Sequence, residues 1–228
     1  MPADPWTTQG ALGAAESTTA TFMAAVYRWM AAGLALTGLV AYGVASSPSM
    51  MHTIFSTPLM WGLIIGQLVL VMAFTRVSRT ATFPVAAAMF LAYCALSGVT
   101  FASIIYLYTR ESIATTFFIT GGSFFALSAY GTLTKRDLSV ARQFLMMGLV
   151  GVLIASLVNI FMHSSAMSFM ISFAGVIVFA GLTAYDTQKI RAMAHAGDER
   201  LALNGALSLY LDFVNLFLML LRFFGRRR

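Results

Sequence analysis

Charged side chains are scarce in this chain. Of its 228 residues, 10% are Asp, Glu, Lys or Arg, whereas about 25% is usual in a soluble domain. Hydrophobic residues make up 59% of the chain, and the mean hydropathy is +0.83. Because so few polar side chains cannot cover a water-soluble core of this size, the composition excludes a soluble globular protein and predicts an all-α membrane protein.

Cysteine and the common catalytic motifs are also missing. Cys94 is the one cysteine and lies in an apolar run, which excludes an intramolecular disulfide bond and a cysteine metal cluster. The chain has no Walker loop, no GxGxxG and no HExxH. The histidines, His52, His163 and His195, lack the helical spacing of metal ligands. We therefore expect no enzymatic activity and no cofactor.

A net charge of +6 would favour nucleic acid as the partner of a soluble protein. Here, however, the basic residues stand in short clusters between apolar runs, where they set the orientation of a membrane protein. We therefore expect the lipid bilayer as the partner of this chain and no nucleic-acid binding.

The chain divides at its charges and turn residues into seven apolar stretches. Each is close to the roughly 20 helical residues that a hydrocarbon core about 30 Å thick requires. The stretches, numbered here as spans 1 to 7, are residues 24–45, 58–75, 83–108, 113–130, 144–162, 167–189 and 203–224. The pattern predicts a single transmembrane domain over residues 21–228, a seven-helix bundle. Residues 1–20 are predicted to be a short polar tail without a secretory signal peptide.

The basic residues predict the orientation of this bundle. Most of them fall on one side, at the start of span 1 and in the second, fourth and sixth connections: Arg28, Arg76, Arg79, Lys135, Arg136, Arg142, Lys189, Arg191 and Arg200. Arg110 is the exception within a connection. The positive-inside rule then places the N-terminus in the cytoplasm and the protein in the cell (inner) membrane.

The arginines at residues 226–228 disagree with this orientation, because seven complete spans would place them outside. Either the tail is outside, or span 7 re-enters the membrane. A re-entrant turn normally needs a Gly or Pro, and none occurs between Ala206 and Phe224. We therefore favour a complete seventh helix.

Two aspartates lie at depth in the predicted spans. Asp186 is near the cytoplasmic end of span 6, and Asp212 is near the middle of span 7. A charge at the centre of the membrane costs roughly 2.5 to 3.5 kcal/mol on insertion scales, so each is a functional candidate.

Span 7 carries a polar stripe around Asp212. Helical spacing aligns the following residues on one face, with Met219 filling the gap: Asn204, Ser208, Asp212, Asn215 and Arg222. Such a stripe must face other helices or water, so we expect span 7 to be central, with Phe213, Phe217 and Leu221 towards lipid. Gln67 and Asn159 are candidate partners. For these two and Ser208, ordinary interhelical hydrogen bonding is the favoured explanation.

Four stretches resemble the bacterial members of the transmembrane Bax inhibitor motif family. They are Ser97-Gly98-Val99-Thr100, YGTLTKRDLS at 130–139, Tyr185-Asp186, and SLYLDFVNLFLMLLRFFG at 208–225. The resemblance implies a bundle with the last helix central and a pH-sensitive calcium leak controlled by two aspartates, which map onto Asp186 and Asp212. It also implies an arginine in the second span that latches the first of these aspartates, and Arg76 and Arg79 are the two positions that match.

The aspartate pair has a plain physical interpretation. Two carboxylates in contact in a dehydrated site cannot both ionise easily, so such a pair would share a proton and sense pH. Two carboxylates with Asn215, backbone carbonyls and water offer an incomplete shell for calcium, suited to weak, reversible binding. Counted from the loop ends, however, Asp186 and Asp212 differ in depth by roughly 10 Å at about 1.5 Å per residue.

Two other functions remain open. Intramembrane aspartyl proteases also use two aspartates, and Tyr185-Asp186 resembles their first motif, but Tyr210-Leu211-Asp212-Phe213 lacks the Gly-x-Gly-Asp of the second. A regulatory membrane protein that binds other membrane proteins, such as a quality-control protease, is the stronger alternative to the leak.

Overall fold

The structure, a computed structural model, describes residues 5–78, 80–196 and 199–228, with side chains from residue 17 onward except at 79 and 195–199. The helices are α1 (Pro5–Ala45), α2 (Pro48–Phe55), α3 (Leu59–Val77), α4 (Phe83–Leu107), α5 (Arg110–Leu133), α6 (Ser139–Met162), α7 (Ser165–Ala192) and α8 (Glu199–Phe224), with a 3₁₀ turn at Met193–Ala196. No strand occurs among the described residues, so the all-α prediction is confirmed.

Seven of these helices are long and apolar enough to cross a membrane. They coincide with the seven predicted spans: α1 from Ser17 onward, and α3 to α8 except for the first residue of α8. The short α2 was not predicted. It begins at Pro48, a residue suited to a first helical turn, and the Ser47 side chain caps it by accepting a hydrogen bond from the backbone N–H of Met50.

The bundle consists of two groups of helices that both pack against α8. On one side α1 contacts α4 and α8, and on the other side α7 contacts α5, α6 and α8. Helix α3 packs mainly on α4, and α6 mainly on α7. Their remaining faces carry exposed apolar side chains, which a surrounding bilayer would cover. That α8 is the centre of the bundle remains a prediction, which the labelling experiment described below tests.

Helix α8 is buried on the side opposite its polar stripe as well as along the stripe. Phe213 and Leu221, expected to face lipid, are both buried, and only Phe217 of that set is partly exposed. Phe213 packs edge-on against Phe117 and Phe124 of α5. The expectation was wrong because α5 covers the side of α8 away from its polar stripe.

Two glycines allow the helices to approach closely. A side chain at Gly131 of α5 would collide with the backbone of Ala184 in α7, and one at Gly98 of α4 would collide with the carbonyl oxygen of Thr37 in α1. Small residues at such crossings are typical of helices packed in lipid.

The seventh span is complete, as predicted. Helix α8 runs without interruption to Phe224, and the tail that follows pairs with the α4–α5 connection through an isolated antiparallel bridge between Tyr108 and Arg227. The backbone N–H of Thr109 donates to the carbonyl oxygen of Arg226 at 3.1 Å, and that of Arg228 donates to Leu107 at 3.0 Å. The tail therefore lies at the same end of the bundle as Arg110.

Candidate functional site

Asp212 lies in the middle of α8 and is 5% exposed. Its Oδ2 atom is buried and has no hydrogen-bond partner, the one such side-chain atom among the described residues. Buried polar atoms are nearly always paired, so an unpartnered carboxylate oxygen at this depth indicates a site for a proton, water or cation.

Asp186 lies in α7, which packs directly against α8, and is half-buried. The Asp186 carboxylate acts electrostatically on the carboxyl group of Asp212. The positive charges of Lys189, one turn further along α7, and of Arg142, in the first turn of α6, act in turn on Asp186. The two aspartates therefore lie near enough to influence each other, and Lys189 and Arg142 form a basic rim beside Asp186.

The register of α7 and α8 determines how far apart the two aspartates lie along the bundle. Gly175 lies against Met219 and Ile190 against Gly205, so the helices are antiparallel. Interpolation between these contacts places Asp186 within one residue of the level of Ser208. Asp212 is then about one helical turn away, roughly 5 Å at about 1.5 Å per residue. The offset of roughly 10 Å expected from loop ends was too large.

The expected partners of the polar stripe bind elsewhere. The Gln67 amide donates to the carbonyl oxygen of Leu96 at 2.9 Å and to Thr100 at 3.1 Å, both in α4. The Asn159 amide donates to Ser168 at 2.7 Å, and its carbonyl oxygen accepts from the backbone of Ser164, so this residue joins α6 to α7. The expectation that these two residues contact span 7 is wrong, because each satisfies its amide on the helix beside it.

The residues of the polar stripe on α8 differ in their hydrogen bonding and surroundings. Asn215 donates to the carbonyl oxygen of Leu211 in its own helix at 2.8 Å, and Asn204 accepts a hydrogen bond from Ser78 at 2.9 Å. Ser208 is half-buried, one turn before Asp212 and level with Asp186. Ser208 is thus the stripe residue best placed beside the carboxylate pair.

The arginine latch of the second span stays a prediction. Arg76 is exposed at the end of α3, and Arg79 lies outside the described residues. The cations that act on Asp186 are Lys189 and Arg142. Sequence reasoning missed Arg142 as part of the site, although it follows the family-like run at 130–139 by three residues.

That run docks on the end of α7. The Gln188 side chain accepts from the backbone N–H of Leu138 at 2.9 Å and donates to the carbonyl oxygen of Arg136 at 2.9 Å. Ser128 and Thr187 share a hydrogen bond of 3.1 Å between α5 and α7. These contacts hold the start of α6, and with it Arg142, beside Asp186.

A second buried polar cluster lies on the opposite face of α8. The Tyr210 hydroxyl bonds to Thr37 of α1 at 2.8 Å, and Thr37 donates to the carbonyl oxygen of Cys94 in α4 at 2.9 Å. Sequence reasoning missed this cluster, because neither Tyr210 nor Thr37 stands out in an apolar span. Its hydrogen bonds are satisfied, so it ties three helices together.

The donor set at the site limits the metal that it could hold. Among the described residues, no three His, Cys, Asp or Glu side chains converge. Two carboxylates alone fall short of the six to eight oxygen ligands of a closed calcium shell.

Comparison with known proteins adds the following. Residues 19–228 match the family described as inhibitor of apoptosis-promoting Bax1. The inner membrane protein YbhL of Escherichia coli K12 is 48% identical over 216 residues, which cover 91% of this chain and 92% of that protein. An uncharacterized protein of Deinococcus radiodurans is 44% identical over 88% of each chain, and one of Borreliella burgdorferi is 43% identical over 91% of this chain and 92% of that protein.

Proposed function

Because this chain belongs to the Bax1-I family, the inhibitors of apoptosis-promoting Bax1, and is a multi-pass membrane protein, we propose that it is a pH-sensitive leak pathway for calcium ions. Asp186 and Asp212 would gate it. The observation that carries the proposal is Asp212, a buried carboxyl group with an unpartnered oxygen. A second carboxyl group, that of Asp186 on the adjoining helix, is offset from it by about one turn along the bundle axis.

The carboxylate pair can couple charge to pH. With little water around them, the two groups favour a state that shares one proton. Loss of that proton leaves two negative charges that attract a divalent cation, whereas its return leaves one negative charge and weakens the attraction. Calcium is the transported ion here and not a resident cofactor.

The basic rim competes with such a cation. Lys189 and Arg142 act on the same carboxylate that calcium would meet at the end of α7. In this proposal Lys189 and Arg142 hold the Asp186 carboxylate, a role that the family resemblance assigns to an arginine of the second span. The ion-binding set is therefore Asp186 and Asp212, supported by Ser208, with Arg142 and Lys189 as the opposing charges.

Proteoliposomes with an enclosed calcium dye, scanned over pH, test the proposal. We expect a leak that titrates near neutral pH, and a changed titration in both Asp186→Asn and Asp212→Asn. The double variant should behave like either single variant, because removing one carboxylate already abolishes the shared proton. Glu111→Gln, at an exposed acidic residue at the other end of the bundle, is the control and should leave the leak unchanged.

Additive effects of the two substitutions would show that the carboxylates do not share a proton. A leak that ignores both substitutions at every pH would favour the alternative, a regulatory membrane protein that binds other membrane proteins. That role would be read out by co-purification of an intact membrane partner with both the wild-type protein and Asp212→Asn.

A further inference from the structure

A cavity of about 290 Å³ opens between the two groups of helices, on the side of α8 opposite the polar stripe. Helices α1 and α4 form one wall, α5 forms the other, and α8 forms the floor. Its lining is almost entirely apolar and includes Leu34, Gly38, Phe101, Ile113, Phe213 and Phe217. Tyr42 and Phe117, which also line it, are exposed on the outside of the bundle. The cavity therefore opens sideways, into the hydrocarbon of a bilayer.

The end of the bundle nearest this cavity is basic. Arg110 begins α5, and residues 226–228 are three further arginines that the backbone pairing described above holds against the α4–α5 connection. The backbone N–H of Arg226 also donates to Ser112 at 2.9 Å, and the Arg227 guanidinium lies 5.9 Å from the centre of the Tyr108 ring. Glu111 is the acidic neighbour. The tail thus presents its arginines as an ordered cluster.

The arginines and the cavity are parts of one surface. Ile113 lines the cavity and lies one turn after Arg110 in α5, so both face the same side of that helix. Arg226 is hydrogen-bonded to the residue before Arg110. Exposed aromatic and apolar side chains at this end, Tyr106 and Phe224, have the position of an interfacial belt.

We propose that this surface is a binding site for one anionic phospholipid. An acyl chain occupies the cavity between α1, α4, α5 and α8, and the phosphate binds Arg110 and Arg226. Apolar walls open to hydrocarbon suit an acyl chain, and guanidinium groups suit phosphate because they can donate two parallel hydrogen bonds to it. The site lies opposite the polar stripe and does not depend on the proposed calcium leak.

The cavity and the buried polar cluster of Tyr210 share one residue. Thr37 lines the cavity and is hydrogen-bonded to Tyr210, two residues before Asp212. A bound acyl chain would therefore lie against the contact that joins α1 to α8.

Native mass spectrometry of the full-length protein, extracted from vesicles of equal parts phosphatidylglycerol and phosphatidylcholine, tests the site. We expect one retained phosphatidylglycerol, preferred over phosphatidylcholine roughly tenfold, because the choline cation of phosphatidylcholine neutralises its phosphate and would lie among the arginines, whereas phosphatidylglycerol keeps a net negative charge. Gly38→Leu should abolish retention, because a side chain there enters open space in the cavity without a clash. Gly43→Leu is the matched control: it is in the same helix, has equally open surroundings and does not line the cavity.

The headgroup is tested separately, with the cavity intact. Arg110→Gln combined with Arg226→Gln should reduce the lipid preference to near equality, whereas Lys135→Gln with Arg136→Gln, the same charge change at the other end, should preserve it. Equal retention of both lipids by the wild-type protein would overturn the proposal, as would equal retention by Gly38→Leu and Gly43→Leu. Either result is independent of whether the protein leaks calcium.

Discussion

At the scale of single residues, the buried polar groups divide by whether a partner satisfies them. Thr37, Gln67 and Asn159 each bond to a neighbouring helix, as is usual for side chains that hold membrane helices together. Asp212 differs, because one of its carboxylate oxygens is buried without a partner. An unpaired oxygen costs free energy, so we take function, and not packing, as the reason for this residue.

Asp137, unlike the buried Asp212, is exposed, and its hydrogen bonds allow a prediction about stability. It accepts hydrogen bonds from the backbone N–H and the hydroxyl of Ser139, both at 2.8 Å, where α6 begins. These bonds, the backbone bond first, lower the pKa of Asp137. Since the folded pKa is lower than the unfolded value, the stability that Asp137 contributes is present at neutral pH and disappears as the pH falls through the folded pKa.

We therefore expect Asp137→Ala to lower the melting temperature in detergent at pH 7 by a small amount. The difference from the wild-type protein should shrink as the pH falls below the ordinary Asp pKa of about 3.9 and vanish once the folded carboxyl group is protonated as well. Circular dichroism over a series of pH values measures it. A difference that persists in acid would mean that the substitution acts through something other than the charge-dependent hydrogen bonds.

At the scale of elements, burial separates the helices sharply. Helix α8 contacts α1, α4, α5 and α7, whereas α3 and α6 each rest mainly on one neighbour. The sequence of α8 is nevertheless no more apolar than that of α6, which has the higher hydropathy. Because lipid accepts apolar side chains as readily as a protein core does, hydropathy cannot tell an inner helix from an outer one.

The central position of α8 can be tested by cysteine labelling in a Cys94→Ala background. Cysteines at Ser208, Phe213 and Leu221 should be shielded from a lipid-phase probe, because these positions face other helices on several sides of α8. Cysteines at Leu157 and Phe161 of α6 should react, since both side chains are exposed. Reaction at Phe213 or Leu221 as strong as at Phe161 would reject the central position.

The crossing of α5 and α7 depends on Gly131. A methyl group there would collide with the Ala184 backbone, so Gly131→Ala must push the helices apart. We expect a loss of about 1 to 3 kcal/mol in the free energy of unfolding. Gly122→Ala, in the same helix with nothing within 4 Å, is the control and should be neutral or slightly stabilising. Unfolding in a graded detergent mixture measures both; equal loss in the two variants would contradict the crossing.

At the scale of the whole molecule, basic residues lie at both ends of the bundle but are organised differently. At one end, the connection after α5 is bound to α7 by Gln188. At the other, the tail after α8 is paired with the connection before α5. The positive-inside rule, applied to the basic connections at the first end, places that end in the cytoplasm. The arginine cluster at the second end favours the opposite orientation. The larger number of basic connections favours a cytoplasmic first end.

Topology reporters test this orientation. A reporter fused after Lys135 should be cytoplasmic, and reporters near Ser47 or Ser164 should be external. A reporter after Arg228 should also be external, because α8 is one continuous helix and its tail lies beside Arg110. A cytoplasmic result after Arg228, with the other reporters as expected, would contradict the position of the tail.

The sequence by itself determined the number, type and approximate bounds of the membrane helices. Their length is set by the thickness of the hydrocarbon core, and charged or turn residues end them, so both are visible in a linear pattern. It also identified Asp186 and Asp212, because a carboxylate within an apolar span is costly wherever the helix lies.

Only the tertiary structure decided which side chains of neighbouring helices face one another. Helix register brought Asp186 to within about one turn of Asp212 along the bundle axis, placed Lys189 and Arg142 where their charges act on Asp186, and paired Gln67 and Asn159 away from α8. It also created the apolar cavity beside the arginine tail. These features depend on the rotation and axial offset between helices, which are set by close packing at small residues such as Gly131 and Gly98. Hydropathy does not encode that geometry, because apolar side chains are equally common inside the bundle and on its lipid-facing surface.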